Sequence, residues 1–250
     1  MNSLVSKLSK VSSYLPTNKK ILIMSKEKVL AICINGVIRD FFEQFDNVYR
    51  KKFIKNPGLV NMSDGFEFVP DEEDGDEFKR LESKINSLIH LPITTYSLRN
   101  HYEFESNEKL DNFLYNESPI ELFGTAPQFP FAMETANKIN NSKKELGLSS
   151  VILFCPGKNQ AITATFHFLT RSGCKLNNII FSENQEDIWN HCDIAITDDP
   201  NIINSKPKDK IVVKVEKEYN SNLESDATIS NLKSLEFKMF ENLIKNNKYE

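Results

Sequence analysis

Five short apolar runs constrain the fold of this chain more than any other feature. They cover residues 28–34 (KVLAICI), 151–154 (VILF), 178–182 (NIIFS), 193–197 (DIAIT) and 210–215 (KIVVKV). Each is too short for a helix, and most end on a turn or charged pair, such as Asn35-Gly36, Pro156-Gly157 and Asp198-Asp199. The first is nearly all apolar, as a strand buried on both faces must be. Between the runs the period changes. Residues 160–171 place Ala161, Ala164, Phe168 and Leu169 at helical spacing before Gly173, and residues 187–192 read as helix-like. Residues 229–245 read as one long amphipathic helix. Strands alternating with helices predict parallel β-α-β units, hence an α/β fold with a three-layer, doubly wound parallel sheet.

The rhythm is interrupted once. After the first strand a helix containing Phe41, Phe42, Phe45, Val48 and Tyr49 is expected, and then no β-α-β pattern returns until Val151. This divides the chain into a core of residues 27–50 and 148–250, a mainly helical cap insertion over 51–147, and an appended N-terminal arm over 1–26. The acidic run 71–77 (DEEDGDE) fails as a calcium loop. With Gly75 at the turn position, the first and last ligand positions fall on Pro70 and Leu81.

Composition removes several function classes. The 31 Lys and Arg against 35 Asp and Glu leave a net charge of -4, which argues against direct reading of nucleic acid. Four Cys in 250 residues, with no C-x-x-C pair, point to reduced thiols rather than a disulfide framework or a zinc knuckle. No apolar run approaches the ~18–20 residues that span a bilayer, so no membrane partner is expected. His90, His101, His167 and His191 never fall at metal-binding spacing, and no G-x-S-x-G elbow is present. Lysine and asparagine abound while arginine is confined to positions 39, 50, 80, 99 and 171, a bias that AT-rich coding produces.

In open α/β sheets ligands bind at the carboxyl ends of the strands. Three such ends carry Cys33-Ile34-Asn35-Gly36-Val37-Ile38-Arg39-Asp40, Phe154-Cys155-Pro156-Gly157 and Ile196-Thr197-Asp198-Asp199. Over about residues 27–217 their order, with an insertion after the first, resembles the haloacid dehalogenase (HAD) superfamily of phosphotransferases, especially its 5'(3')-deoxyribonucleotidase-like members. The resemblance implies an Asp-x-Asp-Gly motif on the first loop, a Ser or Thr at the second strand end, a Lys, and a final acidic pair binding Mg²⁺. Here Cys33 stands at the nucleophile position, Asn35 at the general-acid position and Cys155 at the hydroxyl position. No Lys lies between Phe181 and Asp198, and Lys158 and Lys175 are displaced. Asp198 and Asp199 persist as vestigial metal-site candidates. A carboxamide cannot shuttle a proton and a neutral thiol is a poor ligand for a hard cation, so no metal is expected.

The expected function is therefore that of a catalytically inactive HAD-fold scaffold working through protein–protein contacts. HAD-like proteins of this sort occur among the virion genes of large tailed phages, including the crAss-like group. The resemblance and coding bias together imply a neck or tail ring subunit of a virion, assembled in the host cytoplasm as a homo-oligomeric ring with other protein subunits. Three alternatives stay open. One is a Mg²⁺-dependent nucleotidase-like phosphatase with an altered site using Asp40, Asp198 and Asp199. Another is a nucleotide-sensing pseudoenzyme. The last is a cysteine-dependent phosphatase, because Cys33-x5-Arg39 matches that signature, with Asp199 as the acid. Bulky Ile34, Val37 and Ile38 suit its anion-wrapping loop poorly.

Overall fold

The computed structural model describes residues 27–53 and 93–246. The N-terminal arm and the acidic run 71–77 lie outside the described residues. Among those described, six strands form one sheet: β1 (Lys28–Cys33), β2 (Leu148–Pro156), β3 (Ile179–Ser182), β4 (Ile194–Thr197), β5 (Ile211–Val215) and β6 (Ala227–Ile229). Their order is β3-β2-β1-β4-β5-β6, and every pairing is parallel. The chain steps outward from β1 through β2 to β3, then returns to the other side of β1 for β4, β5 and β6. Right-handed crossovers on the two sides of such a switch place helices on both faces, which gives the three-layer α/β architecture.

β1 is central because it can be buried along all but its first two residues. Leu30, Ala31 and Ile32 have no exposed surface, and Cys33 has almost none. Cys33 stands opposite Phe154 of β2, and Ile32 opposite Ile196 of β4, so three strand ends meet at one crest. The helices are α1 (Phe41–Phe53), α2 (Asn107–Asn112), α3 (Ala132–Asn141), α4 (Gln160–Arg171), α5 (Pro200–Asn204) and α6 (Phe237–Asn246). None is long and apolar enough, among the described residues, to cross a membrane.

Two apolar clusters result. The larger joins the sheet to flanking helices and includes Ala132, Met133, Ala136 and Ile139 of α3. The smaller packs Phe45 and Val48 of α1 and Ala161 and Ala164 of α4 against Tyr102, Phe113, Leu114, Leu122 and Phe123. The described residues within 51–147 thus divide. The stretch that carries Tyr102 to Phe123 forms a helical layer over α1 and α4, while α3 packs with the sheet.

The expected long helix over 229–245 is not what forms. The chain first adds β6 beside β5, makes a tight turn over Leu232–Ser234, and starts α6 only at Phe237. Asn231 is the cause. Its side chain accepts from the Ser234 amide at 3.1 Å, and the Ser234 hydroxyl bonds back to Asn231, a reciprocal cap that restarts the backbone. Similarly, the helical turn expected at 187–192 runs over Gln185–Asn190, because Asn184 caps it by accepting from the Glu186 amide.

Candidate functional site

The loop leaving β1 determines the site. It curls back on itself: the amides of Ile38 and Arg39 both donate to the Ile34 carbonyl, and the Gly36 amide donates to the Arg39 carbonyl at 2.9 Å. Gly36 has φ +73°, a left-handed conformation that costs glycine little. Its missing side chain also leaves room for Asp198, whose carboxyl occupies the space a Cβ would need. The loop is then sewn to residues 127–129, with Asp40 N donating to Pro127 O and Phe129 N to Ile38 O, both at 2.9 Å.

This curl turns the Arg39 side chain inward, where it has no exposed surface at all. A guanidinium carries five N–H donors, and here five hydrogen bonds use them. Nε and Nη2 both reach the Asn35 Oδ1, at 2.8 and 2.5 Å. Nη1 donates to the Phe123 carbonyl at 2.7 Å and the Thr165 hydroxyl at 3.1 Å, and Nη2 also lies 3.3 Å from the Cys155 Sγ. The Phe123 and Phe168 rings hold the guanidinium carbon at 5.1 Å from each centroid. No carboxylate is among these partners. Burial lowers the Arg39 pKa, and Cys155 beside it acts in the opposite sense. Burial likewise raises the Cys155 thiol, against the pull of Arg39.

On the β4 side, Asp198 and Asp199 are both buried. The Tyr219 hydroxyl donates to Asp198 Oδ2, and the Tyr96 hydroxyl donates to Asp199 Oδ2 at 2.9 Å. The other Asp199 oxygen caps α5 by accepting from the Asn201 amide at 2.8 Å. The rings of Phe42, Tyr96 and Tyr219 pack against one another at 5.5–5.8 Å, which closes a lid over the pair. Asn220 fixes the Asp198 backbone through its carbonyl at 2.8 Å. Burial, reinforced by Asp199, pushes the Asp198 carboxyl up to about 7 despite the Tyr219 bond. Asp199 is also raised, by burial. Cys33 is pushed well above the ordinary thiol value by burial, with both aspartates adding to the shift, and the Thr197 hydroxyl is its hydrogen-bond partner.

The strand ends therefore bring Cys33, Asn35, Cys155, Asp198 and Asp199 to one crest, beside a cleft of about 350 Å³ lined by Asn35, Tyr96, Tyr115 and Asp198 among others. The residues present do not fit magnesium. A hard cation needs several ionised or carbonyl oxygens. This crest offers a protonated thiol, an amide oxygen held by a cation, a carboxyl that titrates near neutrality under a tyrosine, and a helix-capping carboxylate. Among the described residues no group of three His, Cys, Asp or Glu side chains is arranged to hold a metal ion.

The cysteine-phosphatase geometry fares no better on its own terms. The Arg39 donors go to Asn35, Phe123, Thr165 and Cys155, and the loop amides of Gly36, Ile38 and Arg39 are engaged with the loop itself. Lys158, the displaced cation candidate, pairs with Asp111 at 2.9 Å. Sequence reasoning missed Tyr96, Tyr219, Thr165 and Phe123. Their roles depend on contacts across 103, 21, 126 and 84 residues of chain, which no local pattern signals.

No family model and no curated protein sequence matches this chain. Among solved structures it is similar to a protein assigned as a haloacid dehalogenase-like hydrolase from Burkholderia xenovorans LB400. The identity is 9%, the TM-score is 0.44, and the match covers 87% of this chain and 94% of that one.

Proposed function

We propose that this chain is a catalytically inert, HAD-like scaffold that works through protein–protein contacts. The observation that carries the reading is the allocation of Arg39. The buried guanidinium at the crest spends its donors on neutral groups of the protein's own interior, two of them on the very amide that stands at the general-acid position. A phosphoryl-transfer site needs a nucleophile, a proton donor and donors aimed outward at developing charge. Loss of nucleophile and acid together removes effects that each supply about 10²–10⁴ or more in rate. The narrower form of the proposal, a ring subunit of a tailed-phage virion, is supported by the sequence resemblance and the Lys/Asn-rich coding bias.

The purified full chain tests the proposal. Under Mg²⁺ with p-nitrophenyl phosphate and a panel of 5'-nucleotides, phosphate release should stay at the level of a Cys33→Ala control. Native mass spectrometry and negative-stain imaging should find a defined oligomer. Turnover at ordinary phosphatase rates of about 1–10³ s⁻¹ would overturn the reading.

A further inference from the structure

The sheet has an open edge at β3. Leu153 N donates to the Asn178 carbonyl at 2.9 Å and Gly157 N to the Ser182 carbonyl at 3.0 Å, so Asn178, Ile180 and Ser182 face β2. Ile179 and Phe181 therefore turn their N–H and C=O groups away from the sheet, and among the described residues nothing bonds to them. Edge strands are commonly blunted by lysine or proline, and β3 (IIFS) contains neither. All four of its residues are half-buried, whereas Leu153, Phe154 and Cys155 beside them are covered. Phe166 of α4 stands 47% exposed against the Phe181 ring, with 5.3 Å between centroids.

An apolar strand with cations at its leading end fits this edge. Glu183 and Glu186 are exposed just beyond β3, and Lys158, whose charge Glu183 feels, is paired with Asp111 at 2.9 Å. Before β3 the chain carries Lys175. The run Lys19-Lys20-Ile21-Leu22-Ile23-Met24-Ser25-Lys26, outside the described residues, has the required pattern. Laid antiparallel with Lys20 opposite Glu183, it sets Leu22, Ile23 and Met24 opposite Phe181, Ile180 and Ile179. A parallel strand would bring Lys19 and Lys20 toward Lys175 instead.

The arm of the same copy cannot reach. In this register Met24 is level with Ile179, hence with Leu153 and Ile32, three strand spacings out from β1 and four residues along from Lys28. Spacings of about 4.8 Å and a rise of about 3.3 Å per residue put Met24 about 19 Å from Lys28. The chain between them spans about 14 Å at full extension. We propose that residues 20–25 of a second copy of this chain add to the β3 edge as an antiparallel strand. Each copy then gives one arm and offers one edge, the head-to-tail relation from which rings are built where the rotation closes. The role of this contact in an assembly rests on the scaffold reading above; the pairing itself does not.

Native mass spectrometry and sedimentation of the full chain test the pairing. Wild type should form an oligomer. Ile179→Pro removes an N–H that has no partner among the described residues, so circular dichroism should show an intact fold while the dissociation concentration rises at least about tenfold. Lys19→Glu with Lys20→Glu should weaken assembly about tenfold, and adding Glu183→Lys and Glu186→Lys should restore it. Mixing an Ile23→Cys chain with an Ile180→Cys chain under oxidation should join the two by a disulfide. A monomeric wild type, no cross-link between copies, or an oligomer indifferent to the arm charges would each overturn the proposal. An oligomer that falls with Ile179→Pro yet ignores the arm charges would mean that another strand, such as a second β3, occupies the edge. If Ile179→Pro does not fold, the charge exchange and the cross-link decide. Phosphate turnover would remove the scaffold reading while leaving these outcomes intact.

Discussion

Two N–H groups of Arg39 converge on a single atom, the Oδ1 of Asn35, four residues earlier in the chain. That oxygen is the best acceptor a neutral side chain can offer to a fork built for carboxylates. The relationship decides what position 35 can do. An atom that serves as the anchor of a buried cation is not at the disposal of a substrate. The same guanidinium links the crest to the helical layer through Phe123 and to α4 through Thr165, so three parts of the fold share one charge.

Asn35→Asp should stabilise the protein without raising phosphate release. Arg39 is already buried and charged, so the introduced carboxylate completes a pair instead of adding an uncompensated ion. Replacing a neutral acceptor by a charged one at this geometry is worth about 1–2 kcal/mol at pH 7. The guanidinium depresses the folded-state pKa of the new carboxyl. Its contribution is therefore present above the unfolded value of about 4 and is lost as pH falls through the folded value. Urea midpoints for wild type and variant at pH 7 and pH 3 measure this. Even combined with Cys33→Asp, the change should leave Mg²⁺-dependent phosphate release at background.

Arg39→Met should cost about 3–5 kcal/mol, because it strands the buried acceptors Asn35 Oδ1, Phe123 O and Thr165 Oγ1. Arg39→Lys should recover less than half of the loss, since an ammonium has three donors and no fork to span these partners. Chemical denaturation gives the energies. Hydrogen exchange locates them: protection should fall first in the turn Ile120–Gly124, whose Phe123 carbonyl is tied directly to the guanidinium.

Stability should fall as pH rises from about 4 to about 7. Burial raises the Asp198 carboxyl to about 7, so the folded state binds its proton more tightly than the unfolded state does. The contribution of this group is complete below the unfolded value of about 4, declines as pH rises through 7, and is gone above it. At about 1.4 kcal/mol per pH unit, the change is up to about 4 kcal/mol. Asp199 is raised in the same direction and adds to the slope. Asp198→Asn, which keeps an acceptor for Tyr219, should flatten the profile and leave the protein more stable than wild type at pH 8. Urea unfolding at pH 5 and pH 8 checks both statements, and a profile unchanged by the substitution contradicts them.

The sheet was legible because its signals are local. A strand such as β1, apolar after Lys28 and followed by Asn35-Gly36, announces both its burial and its end. α4 begins and ends where its spacing and Gly173 indicate. The crest residues were legible for the same reason, since each stands at the end of a readable strand. The C-terminal region was misread because Asn231 lies inside an apolar pattern of helical period, and only its side-chain cap shows that the helix starts later. Arg39 entered only through the alternative Cys33-x5-Arg39 signature, because the sequence gives its spacing from Cys33 but not its direction. That direction depends on Thr165 and Phe123, brought near by tertiary packing alone. The tyrosine lid is equally silent: Tyr96 and Tyr219 belong to no motif, and they meet only because the chain before the helical layer packs against the segment after β5.

Gly36→Ala should be the most damaging single-methyl change at the site, and the reason can be separated into two parts. The first is backbone strain, since φ +73° costs an alanine about 1 kcal/mol relative to glycine. The second is collision, because the added Cβ would fall on the carboxyl group of Asp198, which Tyr219 holds while Asn220 fixes the backbone behind it. Asp198 cannot swing away without breaking the Tyr219 bond and uncovering the pair. The expected total is about 3 kcal/mol or more, in the range reserved for buried steric conflicts. Strain and collision respond differently to a second change. Asp198→Ala alone should be mild or stabilising at pH 8, and in the Gly36→Ala background it should recover all but the strain, leaving about 1 kcal/mol of loss. A double-mutant cycle in urea gives the coupling energy, which should be at least about 1.5 kcal/mol. Additive effects would mean that Gly36 and Asp198 are not wedged together, and the account of the loop as shaped around a buried carboxyl would fall with them.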